Sequence, residues 1–203
     1  MRDAMMNRKV IVGGGALLAL MAANVWAHPG HIGHEHETMF MSGIQHPLTG
    51  LDHLLAMLAV GLWSALTHQT MRQAILTPVV FLVLLFIGAM AGIAGAQLPA
   101  VEPMIMASLL VLGLLIASST TVRDGVGFAI VGLFAAFHGL AHGTELPASE
   151  GAMQFVAGFM LSTLGLHMTG LLVGFQLKQY STWISRAIGA CIAAYGVLLF
   201  TGV

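Results

Sequence analysis

Six apolar runs, at about 47–66, 74–95, 103–119, 126–143, 151–175 and 183–201, take up almost all of this chain beyond its N-terminal region. Each is close to the roughly 20 residues that an α-helix needs to cross a hydrocarbon layer, and breaks containing Gly or Pro separate them. Only 7% of the 203 residues are charged, against about 25% in a soluble domain, which is too little to coat a water-facing surface. The sequence therefore predicts an all-α fold, a polytopic membrane helix bundle of six transmembrane helices set in the lipid bilayer. Pro47, Pro78 and Pro103 fall near the starts of their runs, where a missing N–H costs little.

The N-terminus reads as a cleaved signal peptide. Arg2, Arg8 and Lys9 precede an apolar core from Val10 to Val25, and Val25-Trp26-Ala27 places small residues at the cleavage positions. Residues 1–27 are then the signal, 28–45 a His-rich outer tail and 46–203 the transmembrane domain. With the new N-terminus outside, connections 67–73, 120–125 and 176–182 face the cytoplasm. They carry Arg72, Arg123 and Lys178, and Arg186 follows at the inner end of the sixth run, whereas Glu102, Glu145, Glu150, Glu35 and Glu37 lie outside. This is the distribution that the positive-inside rule expects, and it puts the C-terminus outside as well.

No basic run or basic–aromatic interleaving points to nucleic acid as a partner. Cys191 is the single cysteine, which removes any intramolecular disulfide or Cys-based zinc knuckle; it reads as a small buried apolar residue. Gly88-x3-Gly92 and the series Gly158, Ser162, Gly165, Thr169 have the small-xxx-small spacing of close helix packing.

The chemistry concentrates in two runs. The first contains His46-Pro-Leu-Thr-Gly-Leu-Asp52-His53; on a continuous helix His46 and His53, seven apart, would share one face, with Asp52 flanking it. The fourth contains His138, His142 and Glu145 at i, i+4 and i+7, again a single face. Ionisable groups inside a bilayer cost a few kcal/mol each on insertion scales, so five at helical spacing need a purpose. Both sets fall in the outer third of their helices, at one depth. Imidazoles with one or two carboxylates suit Ni, Co, Zn, Cu or Fe, whereas Mg and Ca prefer all-oxygen shells. Asp52 has two roles open to it, as a direct ligand or as the acceptor that orients a ligand histidine. Gly50, Gly139 and Gly143 fit either close packing or clearance for an ion.

His167 lies roughly 25 Å below the outer end of the fifth run by helical rise, and reads equally as a second, inner relay or as a structural hydrogen-bonding residue. His68, in a cytoplasmic connection, has two readings, an exit ligand or, more simply, a solvated histidine. His28, His31, His34 and His36 form a histidine-rich tract of the kind that binds metal, or a plain linker. The 14 methionines read as gap-filling core.

At these residues the chain resembles the HupE/UreJ family of nickel permeases and hydrogenase or urease accessory proteins. The family's first pattern, His, five residues, then Asp-His, is met by His46, Asp52 and His53; its second, Phe-His-Gly-x-Ala/Val-His-Gly-x-Glu, by Phe137, His138, Gly139, Ala141, His142, Gly143 and Glu145. The five-residue spacer separates it from a related nickel/cobalt transporter family with a four-residue spacer. The resemblance implies nickel uptake across the bacterial inner membrane from the periplasm, with Ni2+ (or Co2+) as transported cargo, no permanently bound cofactor, and metalloenzyme maturation proteins as partners. It says nothing of the oligomeric state.

The residues alone leave two rivals. A membrane metallohydrolase would use bound zinc to activate water, with Glu145 as base, and a non-transporting scaffold would dock a metallocentre-assembly complex. No phosphate-cradling glycine loop is present, so ATP hydrolysis in this chain is not expected.

Overall fold

The computed structural model describes residues 38–146, 150–180 and 182–202; the expected signal peptide and His28, His31, His34 and His36 lie outside them. Among the described residues there are helices and no strands. In chain order they are α1 (Met39–Thr49), α2 (Leu51–Thr67), α3 (Met71–Ala74), α4 (Leu76–Ile93), α5 (Val101–Ser118), α6 (Asp124–Glu145), α7 (Glu150–Leu177) and α8 (Thr182–Thr201).

Five stretches are long and apolar enough to cross a membrane, namely α3 with α4, then α5, α6, α7 and α8. The sixth expected span is present in broken form. α1 and α2 meet at Gly50 with an 80° bend, and α1 starts well upstream of the expected boundary. Thr38 caps α1 by accepting the Met41 N–H. Pro47 then removes one helical N–H inside α1, and Gly50 takes an extended conformation with ψ 119°; a proline followed by a glycine is a sufficient cause for a break. Asp52 stands in the first turn of α2, where a carboxylate complements the helix dipole.

α2 is the central helix. From Leu55 to Ala65 every residue but Leu58 is buried, so neighbours cover it on all sides. α1 and α2 both pack on α7, α4 on α6 and α5 on α8. These pairings are set by glycine. A Cβ at Gly88 would meet the Ala136 carbonyl, one at Gly139 the Leu85 carbonyl, and one at Gly143 the Ala89 carbonyl. Gly139 and Gly143 therefore serve packing, and helix backbones approach where a side chain would hold them apart. On α7, Gly158 packs against Phe40, Gly170 against Leu58 and Gly174 against Leu62 and Ala65. The expected series through Gly165 and Thr169 is corrected, because both face outward and nothing lies near a Cβ at Gly165. Large apolar residues such as Val83, Ile87, Leu114, Leu133, Leu161 and Leu172 are exposed on the outer surface, the face for lipid. Cys191 is exposed as well, on α8, not buried as expected.

One end of the bundle gathers connection residues. His68 Nδ1 is 2.8 Å from the Ser64 carbonyl and its Nε2 3.6 Å from Asp124 Oδ1, so His68 is held in place instead of free in solvent. Lys178 donates to the His68 carbonyl; partial burial lowers the pKa of its ammonium. Arg186 Nε donates to the Ala117 carbonyl at 2.9 Å. The histidine-rich site lies at the other end.

Candidate metal centre

On a continuous helix, residues seven apart are about 10 Å apart along the axis, too far for both to touch one ion. The expectation that His46 and His53 share one helix face is thus overturned, and the break at Gly50 does what that face could not. It swings α1 back across the end of α2, and the two rings sit with centroids 5.6 Å apart. Gly50 itself leaves room, since a Cβ there would come within 2.8 Å of Asp52 Oδ1 and 3.2 Å of His53 Nδ1.

α6 supplies the third imidazole. One ligand nitrogen each from His46, His53 and His142 lies within 4.8 Å of the others. The His53 and His142 rings face each other Nε2 to Nε2 at 2.8 Å, and His46 approaches His142 edge-on with centroids 4.4 Å apart. His46 is half-buried, while the side chains of His53 and His142 are only 11% and 6% exposed.

Asp52 fixes one proton position. Asp52 Oδ1 is 3.0 Å from His53 Nδ1. A carboxylate only accepts, so His53 carries its proton on Nδ1 and, when neutral, presents a bare Nε2. The 2.8 Å contact then requires the proton of His142 on Nε2. For His142 to ligate through that atom its proton must move to Nδ1, where Glu145 Oε2 waits at 3.5 Å. Asp52 and Glu145 each stand behind one of the clustered histidines, the arrangement by which outer carboxylates orient histidines that bind a metal. Glu145 is 65% exposed and lies outside the group of three.

His138, one turn deeper on α6, is fully buried with its ring 5.5 Å from that of His53. Its Nδ1 is 2.9 Å from the Phe134 carbonyl, and its Nε2 has no partner. His167 lies deeper still, away from this cluster, with Nδ1 on the Met57 carbonyl at 2.7 Å. The sequence reading missed an aromatic wall. Phe155 and Phe159 of α7 pack on His46, Phe159 also meets His142 at 4.8 Å, and Phe81 of α4 contacts His138. The i, i+4 spacing of Phe155 and Phe159 was the available signal, but nothing in it pointed to the histidines.

The comparisons with known proteins converge on these residues' chain as a whole. The HupE / UreJ protein family matches residues 16–199. Protein HupE of Rhizobium leguminosarum bv. viciae is 36% identical over 186 residues, covering 91% of this chain and 95% of that protein. No solved structure matches. With the bent first helix pair, the buried histidines and a match running nearly end to end, the chain belongs to the HupE/UreJ family of multi-pass membrane proteins.

Proposed function

We propose that this protein is a permease that carries a divalent transition metal, nickel, from the periplasm across the bacterial inner membrane to supply a nickel enzyme such as hydrogenase or urease. The observation that carries the reading is the convergence of His46, His53 and His142, from three helices, within 4.8 Å. His46, Asp52, His53, His138, His142 and Glu145 are its metal-handling residues, with the three clustered imidazoles as first ligands. The outer tail, including His28, His31, His34 and His36, collects ions ahead of them.

Neutral imidazole suits late first-row metals, and affinity by ligand type alone would favour copper. Family membership argues for nickel.

The orientation rests on charge. Lys178 and Arg186 donate to the His68 and Ala117 carbonyls at the end of the bundle opposite the histidine cluster. Arg72 stands just after His68 and Arg123 just before Asp124 in the chain, and basic residues favour the cytoplasm. Cleavage after Ala27 would leave the N-terminus in the periplasm. The driving force is the membrane potential.

Uptake into proteoliposomes, comparing nickel, cobalt, zinc and copper, tests the proposal. We expect nickel influx that is lost in His53→Ala and His142→Ala. A purified protein that binds metal yet conducts none would overturn it, in favour of an assembly scaffold, or of a metallohydrolase if it turned over lipid or amide substrates.

A further inference from the structure

Among the described residues, four buried side-chain polar atoms have no partner: Trp63 Nε1, His138 Nε2, Thr163 Oγ1 and His167 Nε2. Leaving a buried group unsatisfied costs about 1–3 kcal/mol. Two of the four are imidazole nitrogens, and their tautomers follow from their surroundings. The Nδ1 of His167 is 2.7 Å from the Met57 carbonyl and that of His138 is 2.9 Å from the Phe134 carbonyl. A carbonyl only accepts, so both rings carry the proton on Nδ1 and hold a bare lone pair on Nε2 in an apolar interior. A histidine with Nδ1–H on a backbone carbonyl and a free Nε2 is the prepared form of a metal ligand.

The positions form a ladder. Met57 is one turn below His53 on α2, and His138 is one turn below His142 on α6. The Phe81 ring touches both deeper imidazoles, His138 with centroids 6.1 Å apart and His167 edge-on at 4.8 Å. Gly61 and Gly170 bring α2 and α7 close enough for the His167 ring to reach Met57, since a Cβ at either would strike the opposite backbone. Thr163 is one turn before His167 on the same face of α7, and both are fully buried. Beyond them, at the end of the bundle that holds His68, lies a hollow lined by Trp63, Thr67, Ser119 and Lys178.

We propose that His167 Nε2, with the Thr163 hydroxyl, forms a second metal station, occupied by a divalent first-row transition cation that arrives from His138 past the Phe81 ring. The inference rests on the permease reading and deepens it. No carboxylate contacts His167 among the described residues, so the station offers neutral ligands only. It holds a dication weakly enough to release it, as a multi-site conduction path requires.

The test uses the purified full chain in proteoliposomes with a metal-sensitive dye inside. In His167→Asn the amide can replace Nδ1 as the donor to Met57 but ends short of the Nε2 position. We expect Ni2+ influx to fall at least tenfold while equilibrium Ni2+ binding at the outer cluster stays within twofold of wild type. Wild-type influx in His167→Asn overturns the proposal. A second measurement reads the station directly. In His167→Cys combined with Cys191→Ala, titration with Co2+ should produce a thiolate-to-cobalt charge-transfer absorption, and its absence at saturating Co2+ overturns the proposal independently of flux. If the wild-type protein conducts no metal, the permease reading fails, and the cobalt titration still decides whether position 167 takes an ion.

Discussion

His53 and His142 meet Nε2 to Nε2 at 2.8 Å across α2 and α6, a contact between residues 89 positions apart that only the assembled bundle creates. One proton bridges two nitrogens that an ion would take together. His53→Ala and His142→Ala should each weaken Ni2+ binding by at least the 10–100-fold typical of losing an outer-shell partner. Because the two act as one unit, the double variant should be little worse than either single one. Calorimetric titration of the detergent-purified protein measures this; additive losses would show that the rings do not share an ion.

Asp52 and Glu145 should differ in effect although both face a histidine Nδ1. Asp52 is within 3.0 Å of its partner and 31% exposed, whereas Glu145 is at 3.5 Å and 65% exposed. Asp52→Asn is expected to cost about 10–100-fold in Ni2+ affinity, and Glu145→Gln less than that. The same titration checks the order, and a larger loss for Glu145→Gln would reverse the assignment of roles.

Packing at the α4–α6 interface should respond to single carbons. Gly139→Ala would drive its Cβ into the Leu85 carbonyl and lower stability by about 1–3 kcal/mol, as overpacking does. Gly165→Ala, in mid-helix with nothing near its Cβ, should leave thermal unfolding in detergent unchanged or raise it slightly. Equal melting of the two variants would contradict the interface described above.

Accumulation should follow the membrane potential without ATP. A dication moving into a compartment 100 mV negative gains about 4.6 kcal/mol, a concentration ratio on the order of 10³ at equilibrium. Imposing a potassium diffusion potential on proteoliposomes should raise nickel uptake, and reversing its sign should suppress it. Uptake that ignored the potential would demand another energy source.

How much of this was legible beforehand depends on the distance over which each feature is decided. The helical bundle was, because a run such as Leu76–Ile93 is apolar enough to cross a membrane whatever surrounds it. Metal-type residues at His46, Asp52, His53, His138 and His142 were legible too, since charge and imidazole are costly in lipid and stand out against it. Their arrangement was not. Periodicity placed His46 and His53 on one face of a straight helix, whereas Pro47 and Gly50 break it by 80°. Spacing left Gly139 and Gly143 open between close packing and clearance for an ion, and the contacts show that they seat α6 against α4. Cys191 and Thr169 looked like packing residues, yet both face outward.

Local pattern by itself determined that this chain is a set of apolar helices carrying imidazoles, because hydrophobicity and ligand chemistry belong to each residue. Only the tertiary structure decided which imidazoles meet. That choice depends on a bend at Gly50, on backbone approaches permitted by glycines on neighbouring helices, and on carbonyls such as Met57's that leave one nitrogen of His167 bare. Each of these is a relation between segments far apart in the chain, and no single segment carries it.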